Sequence, residues 1–73
     1  MQFQYEFLIE EGIPYLVNSI NRVKEYKITC IDSTSTLISV EGLTFTDRIR
    51  MYTKNIKGFD KDQMKKILPE CYI

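Results

Sequence analysis

At 73 residues, with 44% hydrophobic and 27% charged side chains, the chain has room for one core near the lower size limit and none for a second domain. That balance excludes a disordered polymer, and no apolar run approaches the roughly 20 residues of a membrane-spanning helix. Formal net charge is zero, which gives no overall attraction to nucleic acid or to an acidic surface.

The charge is nevertheless uneven. Up to Phe45, the acids Glu6, Glu10, Glu11, Glu25, Asp32 and Glu41 outnumber Arg22, Lys24 and Lys27. From Thr46 to Lys66 the balance reverses, with Arg48, Arg50, Lys54, Lys57, Lys61, Lys65 and Lys66 against Asp47, Asp60 and Asp62. Cys30 and Cys71 are too few for a disulfide framework and show no metal-ligand spacing. With no export or lipidation pattern, the expectation is a single small domain over residues 1–73 in a reducing cytoplasm.

In chain order, Phe3, Tyr5, Phe7 and Ile9 alternate with Gln4, Glu6 and Leu8, which predicts a half-buried strand. Glu10-Glu11-Gly12 breaks the alternation. Pro14, with Ile13, Leu16, Val17, Ile20 and Val23 at three- and four-residue spacing, predicts an amphipathic helix, although β-branched content and two asparagines also allow a strand at Tyr15–Ser19. Tyr26–Asp32 and Thr36–Gly42 read as a hairpin through Ser33-Thr34-Ser35. Its register sets Ile28 against Val40 and Cys30 against Ile38 inside, with Lys27 against Glu41 and Thr29 against Ser39 outside. The turn lacks Gly or Asn, so a relaxed exposed loop is expected there.

Phe45, Ile49, Tyr52 and Ile56 predict a helix over 46–57, with Arg50, Lys54 and Lys57 on its opposite side. Asp60 with Gln63 resembles a capping box, Phe59 with Met64 is spaced as a staple, and Pro69 stops this last helix. The expected fold is therefore α+β, a three-stranded mainly antiparallel sheet of order 1-3-2 in a β-α-β-β-α-α chain, with helices covering one face. In element order alone it resembles half of a ferredoxin-like layer, which carries no motif and implies no activity.

Catalysis is hard to build from these residues. The chain has no histidine, so the commonest general base is missing, and its glycines are isolated rather than grouped as a phosphate loop. Cys30 falls on the expected inner face as a small buried hydrophobe, while Cys71 follows Glu70, whose charge opposes thiolate formation. No catalytic residue, cofactor or metal is expected. The Asp32–Thr36 run could accept a phosphoryl group but reads more simply as a solvated turn.

Two surfaces remain. Leu8, Ile31 and Leu37 fall together on the expected outer sheet face, with the apolar tail Tyr72-Ile73 near them, as the centre of a polar-rimmed contact patch. Arg48, Arg50, Lys54, Lys57, Lys61 and Lys65 offer a basic helix that could meet phosphates, without exposed aromatics between the cations. The function expected from these surfaces is a small non-catalytic protein-binding module, a regulator, inhibitor or accessory subunit that docks on another protein or on itself as a homodimer. Nucleic-acid binding through the basic helix is the alternative, and no membrane partner is expected. The absence of alanine beside many Ile and Lys residues points to an AT-rich genome such as that of a phage.

Overall fold

The computed structural model describes residues 3–71. Tyr72 and Ile73, two of the expected contact residues, lie outside the described residues. Six strands form one sheet: β1 (Tyr5–Glu10), β2 (Ile13–Asn18), β3 (Lys24–Ile31), β4 (Leu37–Gly42), β5 (Arg48–Tyr52) and β6 (Ile56–Lys57), in the order β5-β4-β3-β2-β1-β6. Neighbours are antiparallel except β1 and β6, which run parallel with Tyr5 beside Ile56. β5 and β6 stand at opposite ends of that order, yet only a 3-10 turn, Thr53–Asn55, separates them along the chain. The sheet must therefore curl round on itself as a half-barrel. One short helix, α1 (Lys61–Ile67), completes the fold.

The α+β expectation with a three-stranded sheet and several helices is thus corrected to a mostly-β chain. Two predicted helices are strands. At 13–23, Glu11 and Gly12 both adopt left-handed backbone (φ 53° and 76°), the signature of a two-residue primed turn, so Glu10-Glu11-Gly12 makes a tight hairpin. Pro14 is tolerated in β2 because Glu10 and Ile13 flank the turn as the hydrogen-bonded pair, which leaves Ile9 and Pro14 exchanging no backbone bonds. On its other side, pairing of β2 with β3 begins only at Tyr15.

The two asparagines that weakened the helix expectation are turn-makers. Asn18 Oδ1 accepts the N–H groups of Ile20 (2.8 Å) and Asn21 (3.2 Å), and Asn21 Oδ1 accepts that of Val23 (3.0 Å). At 46–57, the apolar residues at three- and four-residue spacing gave way to pairing with β4, because Ile49 and Met51 alternate onto the core face beside Val40 and Ile38. Gly42 makes the preceding loop possible: a Cβ there would meet Phe45 at 2.7 Å, and the Phe45 ring instead packs edge-on against Tyr26.

The β3–β4 hairpin forms, and Ile28–Val40 and Lys27–Glu41 pair in the expected register. Above them a bulge at Thr29 shifts the strand by one residue, so Cys30 faces Ser39 on the outside and Ile31 faces Ile38 in the core. Ile31 is 2% exposed, which removes it from the expected contact patch. Cys30, turned outward, is bonded to Cys71, with 5.0 Å between their Cα atoms. The expected free thiols are therefore a disulfide. The bridge holds the tail along β3, where the Ile31 N–H donates to Pro69 O and the Ile31 carbonyl accepts from the Cys71 N–H.

Tyr5, Leu16, Tyr26, Ile28, Ile31, Ile38, Val40, Ile56 and Met64 form the core, with Phe7, Ile9, Met51, Phe59 and Leu68 packed against it. α1 begins as expected, with Asp60 accepting the Gln63 N–H at 3.1 Å, and its one buried side chain is Met64. Tyr5 donates to Glu25 Oε1, and its phenol is pushed up to about 12 by burial and then by the Glu25 charge.

The β3–β4 loop is ordered, contrary to the relaxed loop expected. The Asp32 carboxylate accepts from the Thr36 and Leu37 N–H groups (2.9 and 3.0 Å) and from the Thr34 and Thr36 hydroxyls, while Ser35 turns through φ 61°. The Leu37 N–H first, then the Thr34 hydroxyl and the Thr36 donors, hold this carboxyl at about 2, well below its ordinary 3.8. A folded-state pKa below the unfolded one makes the loop's contribution to stability complete above 3.8 and lost as pH falls through about 2. Asp32→Asn should melt lower than wild type at neutral pH and lose less on acidification through that window. A carboxyl resonance of Asp32 titrating at the ordinary value in NMR would contradict this.

Candidate interaction surface

β5 is an edge strand, and its sequence determines what it presents. Gly42 N–H bonds to Asp47 O and Thr53 N–H to Thr36 O, so the odd-numbered residues from 47 to 53 exchange backbone bonds with β4. The even-numbered ones, Arg48, Arg50 and Tyr52, then point their N–H and C=O groups away from the sheet. Their side chains share the outer face, because Ile49 and Met51 pair with the core residues Val40 and Ile38. The far end of the strand is fixed by Thr53, whose hydroxyl donates to Ser35 O at 2.8 Å.

Arg48 and Arg50 are exposed, and among the described residues neither forms an ion pair, although Glu41 stands opposite Arg48 in register. Beside them a shallow depression of about 380 Å³ is lined by Thr29, Ser39, Glu41, Arg48 and Arg50. Tyr52 is 55% exposed, pairs with Leu37, and carries the Lys54 ammonium 5.6 Å from its ring centroid. Arginine, arginine, tyrosine and lysine thus follow one another along one side of β5.

The expected apolar patch does not assemble. Ile31 is in the core, and Leu8 lies on β1, with two strands between it and β4. The neighbours of Leu8 along β1 are both engaged: Glu6 with Arg22 at 2.6 Å, and Glu10 with Lys24. A hollow lined by Glu6, Leu8, Val17, Arg22 and Lys24 places Leu8 beside the stems of those cations. Leu37 alone of the expected trio joins the β5 surface, through Tyr52.

The basic helix is replaced by β5, the 3-10 turn and β6, and its cations are divided. Arg48, Arg50 and Lys54 stay together, Lys57 is on β6 at the opposite end of the strand order, and Lys61 and Lys65 are on α1. Lys65 is bonded to Ser33 O at 2.8 Å. Tyr52, assigned to a core stripe, is the residue misplaced most consequentially, and the spacing Arg48-x-Arg50-x-Tyr52 is the period-two signal that finds it. Among the described residues no three of His, Cys, Asp and Glu come together to hold a metal ion, and no helix is long and apolar enough to cross a membrane. No known protein family, curated protein or solved structure matches the chain.

Proposed function

We propose that the chain is a non-catalytic protein-binding module, a regulator, inhibitor or accessory subunit that docks a larger protein through β5. The free edge of β5 carries this reading. Its outward N–H and C=O groups at Arg48 and Arg50 offer backbone hydrogen bonds to an incoming extended segment, while Ile49, 40% exposed, and Tyr52 supply apolar contact. The lack of histidine continues to argue against general-base catalysis. The cytoplasmic setting rested on free thiols, and the Cys30–Cys71 bridge shifts the favoured setting to an oxidising compartment.

Arg50→Pro tests the edge. Proline there removes an outward donor without costing a bond to β4, and Arg50→Ala controls for the lost charge. A defined partner that co-purifies with the wild-type chain should be lost with the proline variant and weakened with the alanine variant. A partner retained at wild-type affinity by a folded proline variant would overturn docking at β5.

A second reading has one observation in its favour. Tyr52, exposed beside Lys54 and interleaved with the arginines, is a stacking platform flanked by cations, an arrangement suited to single-stranded nucleic acid. That reading predicts affinity falling steeply with salt.

A further inference from the structure

We propose that the segment received by β5 is acidic and extended, lying along the edge as an added strand with carboxylates two residues apart against Arg48 and Arg50. This rests on the protein-binding reading. The two arginines are two positions apart on one face of a strand, which separates them by about 7 Å and matches the spacing of alternate side chains on a paired strand. Both guanidiniums lack an ion pair among the described residues, whereas Arg22 and Lys24 on the far side of the sheet are neutralised by Glu6 and Glu10. Guanidinium forks suit carboxylates, and Ser39 lines the adjoining depression.

The same charges argue against a second copy of the chain as the occupant. Antiparallel pairing of β5 with itself about Arg50 sets Arg50 against Arg50, and pairing about Ile49 sets Arg48 against Arg50, so both of these registers oppose like charges; pairing about Met51 sets Arg50 against Tyr52 but brings Arg48 against Lys54. Charged edges deter self-association, and here the deterrent leaves an oppositely charged strand as the complementary partner.

A random dodecamer library displayed on phage, selected on the folded full chain at low ionic strength, tests this. Selected peptides should carry Asp or Glu at alternate positions and perturb the amide resonances of 48–52. They should lose about tenfold or more in affinity for Arg48→Glu/Arg50→Glu. Methylating alternate peptide nitrogens should abolish binding in one frame and spare it in the other. If the double variant does not fold, the methylation series and the selected sequences decide the matter. Peptides that bind β5 without carboxylates and ignore the charge reversal would overturn the acidic specificity while leaving the protein-binding reading intact. No enrichment, or enrichment mapping away from β5, would overturn both. A thymidine dodecamer that holds residues 48–54 more tightly than any selected peptide would overturn the proposal in favour of nucleic acid.

Discussion

Reducing the Cys30–Cys71 bridge should lower the melting temperature by roughly 8–32 °C, because a native disulfide in a small domain contributes about 2–4 kcal/mol and each kcal/mol moves Tm by roughly 4–8 °C at this size. The bridge spans 41 positions of sequence. By the chain-entropy estimate a loop of that size is near the upper part of the range, at about 4 kcal/mol. It also holds the tail strand whose Pro69 and Cys71 backbone groups bond to Ile31, and that pairing loses its tether when the bond is broken. Thermal melts followed by circular dichroism, with and without a phosphine reductant, give the measurement. The Cys30→Ser/Cys71→Ser variant should reproduce the reduced value and show no further response to reductant. A shift under about 5 °C would mean that tail pairing and α1 hold the sheet without the cross-link.

Met64→Ala should cost about 2–5 kcal/mol, the range for truncating a fully buried methionine or leucine. Met64 is 0% exposed and is the one buried side chain of α1, so the helix reaches the core through a single deep contact, supported by Phe59 and Leu68 on either side. Phe59 packs edge-on against Phe7, with ring centroids 5.3 Å apart, which keeps the entry to the helix in place when Met64 is cut back. Urea unfolding should show a lower midpoint with an unchanged slope if α1 stays docked, and a lower slope as well if it detaches. Lys61→Ala, on the exposed side of the helix, is the control and should stay within about 0.5 kcal/mol of wild type. Equal stability of the Met64 variant and wild type would remove α1 from the core.

What was legible in the sequence tracks where one local force acts alone. The strict alternation of Tyr5, Phe7 and Ile9 predicted β1, and the cap at Asp60 predicted the start of α1; both signals are local and nothing competes with them. Ile28–Val40 and Lys27–Glu41 were legible for the same reason. The register failed at Thr29 because a bulge adds one residue with no composition of its own, and a one-residue shift turns Cys30 outward and Ile31 inward. That single step hid the disulfide and supplied the expected apolar patch with a core residue.

The two false helices share a cause. Ile13, Leu16, Val17, Ile20 and Val23, like Phe45, Ile49, Tyr52 and Ile56, sit at spacings a helix would use, but both sets are rich in β-branched and aromatic residues. Pairing with a neighbouring strand decided between the periods, and such pairing is invisible in a window of a dozen residues. The candidate surface suffered most, since Arg48, Arg50 and Lys54 were grouped on one helix with Lys57, which lies on β6, and with Lys61 and Lys65, which lie on α1. Reading Arg48, Arg50 and Tyr52 at period two gathers them on one strand beside Lys54.

The short turn at Thr53–Asn55 also sets an order of events during synthesis. Each of the first four strands pairs with the next one along, so a growing chain can zip β1 to β5 together as they emerge. β6, Met64 and Cys71 all arrive after that turn, and β1 has one side unoccupied until Ile56 reaches Tyr5. A polypeptide stopped at Tyr52 would show raw edges at both margins and no plug. Ribosome stalling or clipping in that stretch therefore yields a sticky ribbon instead of a weakened version of the finished protein.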